Sequence, residues 1–125
     1  MLTSFKYLKV WQKAHQIVMS IYKESASFPQ EEKFGLQSQI RRAAVSIPAN
    51  IAEGFHKRSI KEKLRFYNIA QTSLDEVRYY VLLANDLTYW DAESLKFDER
   101  LDEIGRMLNG LMLGLSNSDS LKPKT

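Results

Sequence analysis

Apolar residues recur at three- and four-residue steps along most of the chain, and the pattern divides into four helical stretches. The first runs from Leu8 to Ser25, with Val10 and Trp11, Ala14, Ile17 and Val18, and Ile21 and Tyr22 on one side. Phe28-Pro29 closes it, because the residue before a proline avoids the helical region. After the polar Gln30-Glu31-Glu32-Lys33, a second stretch begins at Gly35 or Leu36. It carries Leu36, Ile40, Ala43, Ala44, Ile47, Ile51 and Phe55 on one face. Pro48 falls inside it, removes a hydrogen bond to the Ala44 carbonyl and predicts a kink. The Asn50 amide or a water is expected to satisfy polar groups freed there, and Gly54 with His56-Lys57-Arg58 marks the end.

Ser59-Ile60-Lys61-Glu62 reads as a capping box, so a third helix starts at Ile60. Its stripe of Leu64, Tyr67, Ala70, Gln71, Leu74, Val77, Val81 and Ala84 has the near-heptad spacing of antiparallel bundles. Running to Leu87, it is roughly 40 Å long at 1.5 Å per residue. The polar and aromatic link Asn85–Asp91 resists assignment residue by residue. The last helix carries Phe97, Leu101, Ile104, Met107, Leu108, Leu111 and Leu115, and Gly110 and Gly114 weaken its final turns by about 1 kcal/mol each. The predicted fold class is all-α: one four-helix bundle domain over residues 1–117 and a disordered tail over 118–125.

The two central helices hold more apolar surface than one such core buries. Beside its core stripe the third helix carries Phe66, Ile69, Tyr80, Leu83 and Leu87, and the second carries Val45, Pro48, Ala49 and Ala52. One reading is a wide core face with some exposed apolar residues. The other is a subunit interface, because contiguous apolar patches are uncommon on monomers.

Composition narrows the chemistry. At 125 residues the chain suits one domain, and 44% hydrophobic with 26% charged residues separates it from disordered chains. It has no cysteine, so thiolate metal sites, thiol nucleophiles and disulfides are excluded. The N-terminus lacks the pattern of a secretory signal, and no apolar run reaches the roughly 20 residues of a membrane span. A cytoplasmic location, with no membrane partner, is the expectation.

The net charge of +3 is unevenly spread. Residues 41–65 contain Arg41, Arg42, Lys57, Arg58, Lys61, Lys63 and Arg65 against Glu53 and Glu62, an excess of about five positive charges. Residues 91–103 are acidic by about four. The molecule should have a basic end and an acidic flank. Lysines and arginines gathered at a turn and a helix start can contact phosphates without base-specific geometry, or can simply form a solvated charge run.

Other chemistries find little support. Glu53 and His56 have the Glu-x-x-His spacing of di-iron bundles, but the other histidine, His15, has Gln12 at that spacing, so no metal or other cofactor is expected. Glu53 instead suits an ion pair with Arg42 or with a neighbouring subunit, and His56 a solvated loop. No serine lies in a Gly-x-Ser-x-Gly turn and no glycine-rich phosphate loop occurs, so catalytic residues are not expected.

The stretch Gly35-Leu36-Gln37-Ser38-Gln39-Ile40-Arg41-Arg42-Ala43-Ala44-Val45-Ser46-Ile47-Pro48-Ala49-Asn50-Ile51-Ala52-Glu53-Gly54 resembles the signature of the four-helix bundle proteins encoded in bacterial 23S rRNA intervening sequences. Leu8–His15, Phe28-Pro29 with Glu32–Leu36, and Arg65–Ala70 with Ser73, Leu74 and Glu76 extend the likeness to about Asn117. The resemblance implies an up-and-down bundle in a ring-like homopentamer. A related protein, the accessory protein of diversity-generating retroelements, is a basic pentamer that binds nucleic acid and a reverse transcriptase. By position, Arg41, Arg42, Asn50 and Glu53 fall on the motif's polar positions, with Pro48 and Gly54 as its structural marks. Two functions compete: a non-enzymatic oligomer that binds RNA or DNA through phosphates, and a scaffold for a protein partner such as a polymerase.

Overall fold

The computed structural model describes residues 4–120 of the chain. Its four long helices are α1 (Lys9–Ser25), α2 (Leu36–His56), α3 (Ile60–Asp86) and α4 (Phe97–Ser120), with short 3-10 turns at Phe5–Tyr7 and Gln30–Glu32. No strand occurs among the described residues. Each helix packs against its neighbours in chain order, and α4 returns to α1. The helix α4 continues to Ser120, past the predicted boundary at 117, and the rest of the predicted disordered tail lies outside the described residues.

One core joins all four helices, and it is built by the periodic residues. Ile17, Ile21, Ile40, Ile47, Ile51, Leu74, Val77, Val81, Phe97, Leu101, Ile104 and Leu108 are fully buried. Each such side chain contributes about 1.5–3 kcal/mol relative to exposure, far more than helix propensity does. Phe55, Leu64, Met107, Leu111 and Leu115, also predicted for the core, are only half-buried.

The helix ends are tied by specific groups. Ser59 Oγ accepts from the Glu62 amide at 3.1 Å, the forward half of the expected capping box. Glu62 itself pairs with Arg65 at 3.4 Å. At the start of α2 the Glu32 carboxylate accepts from the Leu36 amide at 3.1 Å, and its other oxygen accepts from the Tyr89 hydroxyl at 2.9 Å. That carboxylate raises the Tyr89 pKa. Pro48 is accommodated within α2, but Asn50 serves a carbonyl other than the one expected. Its amide donates to Ser46 O at 2.8 Å and Ser46 Oγ at 2.9 Å, not to Ala44. Ser46 Oγ also bonds the Ser73 hydroxyl at 2.7 Å, which carries the polar chain across to α3.

The link that resisted assignment is two successive helix-end motifs. The Tyr89 amide reaches Ala84 O and the Thr88 amide reaches Asn85 O, a Schellman pair that puts Thr88 at φ 61°. Phe97 and Lys96 repeat it on Ala92 and Glu93, with Lys96 at φ 57°. Trp90 then folds back, its Nε1 donating to Val81 O at 3.2 Å. A β-branched residue in the left-handed region costs about 1–2 kcal/mol. Thr88→Gly should therefore stabilise the protein by about 1 kcal/mol in urea denaturation.

Candidate nucleic-acid interface

The predicted cations do not form one patch. Arg41 and Arg42 lie on α2 about 22 Å from Lys57, fifteen residues away along the helix. Two of the seven are consumed inside the protomer. Arg41 Nε donates to the buried Ser25 hydroxyl at 2.9 Å and its Nη2 to Tyr22 O at 3.0 Å, with the guanidinium 4.6 Å from the Tyr22 ring. Gln37 adds a bond to Ser25 O at 2.8 Å, so α2 caps the end of α1. Lys63 Nζ donates to Phe55 O at 2.8 Å and Gly54 O at 3.3 Å, which caps the end of α2 in the same way. Partial burial lowers the Lys63 pKa.

Arg41→Ala is expected to cost about 1–3 kcal/mol, because it removes charge-assisted bonds to the buried Ser25 hydroxyl and to the Tyr22 carbonyl. Chemical denaturation reads that loss. The same variant, if still folded, should keep the salt dependence of any nucleic-acid affinity.

Five cations remain available. Arg42, Arg58 and Lys61 are exposed, and their side chains have no bond or ion pair among the described residues. Lys57 stands 5.1 Å above the Phe66 ring and 4.0 Å from Glu53. Arg65 flanks the same ring at 5.3 Å and pairs with Glu62. Within the protomer Glu53 thus pairs with Lys57 and not with Arg42, the first of its two expected partners.

The N-terminus adds charge that the linear sequence concealed. Phe5 packs edge-on against His56 at 5.8 Å, so the first turn of the chain sits at the end of α2. Lys6 and Lys9 follow it with exposed, unpaired side chains among the described residues, beside Tyr7 at 63% exposure. His56 is exposed, as expected of a solvated residue, but it is the last residue of α2, not part of the loop, and its ring meets Phe5 and Phe55 edge-on. The only sequence-level hint of this arrangement was the aromatic spacing Phe5 to Trp11, whose rings meet at 5.0 Å.

The acidic residues gather elsewhere. Phe28 contacts Tyr89 and Trp90 at 5.3 and 5.0 Å, and Tyr89 reaches Glu32. The α1–α2 and α3–α4 connections therefore meet at one end, while the α2–α3 turn lies at the far end of the roughly 40 Å α3. Glu31, Asp86, Asp91, Glu93, Asp98 and Glu99 are exposed at the first end and Arg58 and Lys61 at the second. The charges are axially polarised.

The expected interface stripe is narrower than the pattern implied. Tyr80 and Leu83 pack half-buried against their own core, and Phe66 lies beneath Lys57 and Arg65. Ile69 and Leu87 remain outward at 38% and 42% exposure. The second strip on α2 keeps Val45 at 41% exposure but buries Pro48. Larger exposed apolar groups occur where periodicity did not direct attention: Met19, Phe34, Tyr79 and Leu82. No group of three or more metal-ligating side chains occurs among the described residues, and none of their helices is long and apolar enough to cross a membrane.

The chain matches a family model described as 23S rRNA-intervening sequence protein over residues 6–110. Among solved structures it is similar to a protein of unknown function from the S23 ribosomal protein family of Bacteroides thetaiotaomicron. The two share 25% identity with a TM-score of 0.73, covering 82% of this chain and 97% of that one. A comparison with curated proteins finds no match.

Proposed function

Since the chain belongs to the 23S rRNA-intervening sequence protein family, we propose that it is a non-enzymatic, cytoplasmic homo-oligomer that binds nucleic acid, RNA in preference, through phosphates. The protomer in this reading is an antiparallel up-and-down bundle. The three-residue turn between α2 and α3, the Phe5–His56 contact and the Tyr89–Glu32 bond support that arrangement. Copies associate side by side in a ring, with the count of five that the resemblance implies, and exposed apolar groups such as Ile69 and Leu87 contribute to their contact.

One observation carries the reading: Arg58 and Lys61, exposed and unpaired among the described residues, share an end with Lys6 and Lys9. Four free cations at one end of each protomer give a weak site alone. Repeated around an assembly with those ends aligned, they sum to a field able to hold a polyanion. Phosphate contacts carry no sequence information, so in this reading discrimination comes from the shape of a structured RNA.

The test is an anisotropy titration of labelled structured RNA, single-stranded RNA and duplex DNA at low salt. Submicromolar binding with preference for structured RNA is the expected result. Negligible affinity for all three would overturn the proposal. Capture of a polymerase-type partner by a protein that ignores polyanions would favour the scaffold reading, which the exposed Tyr79 and Leu82 would serve.

A further inference from the structure

Phe34, in the connection before α2, is 88% exposed, the most exposed of the large apolar side chains among the described residues. Its ring is approached at 5.6 Å by the ammonium of its own neighbour Lys33. The surface around it is apolar and basic. Tyr22, 43% exposed, lines the hollow beside it with Lys33, Arg41 and Arg42, against which the exposed Glu31 is the nearby acid, and Arg42 stands unpaired among the described residues.

The complementary surface lies across the molecule. Between α3 and the start of α4 is a cavity of about 500 Å³. Val81, Leu82 and Ala92 give it apolar lining, and Asp91, Glu93 and Glu99 give it an acidic rim that Lys96 only partly offsets. Leu82 is 55% exposed at its edge. We propose that Phe34 of one copy enters this cavity on a second copy, with Lys33 and Arg42 meeting the acidic rim.

Three observations favour a second copy as the occupant. The knob and the cavity carry opposite charge, so encounter is steered and fixed in register. They also lie at the same end of the protomer, because the Tyr89–Glu32 bond and the Phe28 contacts join the two connections there. Two copies with axes roughly parallel and equal ends level can therefore meet. Finally, the two surfaces are on different helix pairs, α1 with α2 and α3 with α4, so a copy whose knob is engaged still offers a free cavity. The contact is heterologous and propagates from copy to copy. In such an assembly all the basic ends point the same way. This inference rests on the self-association proposed above and names its contact.

Mixing two variants tests it. Phe34→Asp removes the knob and Leu82→Arg blocks the cavity; both positions are exposed, so thermal melts should match the wild type. By multi-angle light scattering the wild type is expected to run as an oligomer and each variant alone as a monomer. An equimolar mixture should run as a dimer, because one intact knob meets one intact cavity. If the wild type is oligomeric and either variant keeps its mass, or the mixture stays monomeric, the docking is wrong while self-association stands. A wild type that is monomeric at its highest soluble concentration overturns both.

Discussion

Arg58→Glu combined with Lys61→Glu should lower affinity for a structured RNA by roughly sixtyfold at about 0.1 M salt, for each protomer that touches the RNA. The size follows from counterion release. A slope near −0.9 in log K against log salt for each phosphate contact makes one contact worth roughly eightfold at about 0.1 M, and two contacts multiply. Charge reversal adds repulsion, so the figure is a lower bound. The slope itself should become shallower by about two per protomer engaged. Both side chains are exposed and unpaired among the described residues, so folding should be unaffected. Lys63→Ala is the internal control. Its ammonium bonds the last carbonyls of α2, and its loss should reduce stability with little change in slope. An unchanged affinity in the double variant would remove the basic end from the account.

The second large effect is expected in the protomer itself. A Cβ added at Gly54 would stand 2.6 Å from Tyr67 Cε1 and 2.9 Å from its Cδ1. Tyr67 is only 2% exposed, and burial raises its hydroxyl pKa, so the ring has little room to swing away. Overpacking of this kind costs about 1–3 kcal/mol, against a gain of up to about 1 kcal/mol from replacing a helical glycine. Gly54→Ala should thus destabilise by about 1–2 kcal/mol, and Gly54→Val, with more volume and lower propensity, by about 3 kcal/mol or more. Tyr67→Leu frees the space. In the Gly54→Ala/Tyr67→Leu double variant the two losses should fall short of additivity by about 1 kcal/mol or more, read by urea denaturation of all four proteins. Additive losses would mean that the ring adapts.

The same contact shows where sequence reading stopped. Gly54 was legible as a helix-end mark because glycine is a poor helix former, but its closeness to Tyr67 depends on how α2 and α3 pack. Helix number, most boundaries and the core came through because a single 3.6-residue period decides burial on each helix: Ile40, Ile47 and Ile51 on α2, and Leu101, Ile104 and Leu108 on α4, are all buried. The α3–α4 link did not, because Thr88 and Lys96 take left-handed conformations usually held by glycine. For the basic site, charge density along the chain found the turn at Lys57–Arg65. It could not separate cations facing water from Arg41 and Lys63, which serve as caps on neighbouring helix ends. Nor could it bring Lys6 and Lys9 to that turn, since fifty residues of chain intervene before Phe5 meets His56. On the interface side, two-stripe counting overestimated α3. The larger Tyr80 and Leu83 side chains lean back onto the protomer core, whereas Phe34, on no helix face at all, projects fully.

Whether aligned protomers act as one phosphate-binding surface is most directly read from the salt dependence of structured-RNA affinity for the wild-type protein. Arg58, Lys61, Lys6 and Lys9 of one protomer, with Lys57 and Arg65 beside them, can supply a slope of at most about −5.4 in log K against log salt. A slope steeper than this is the expected result, since several basic ends then contact one RNA. A slope at or below the single-protomer limit, or no binding even at low salt, would contradict the account.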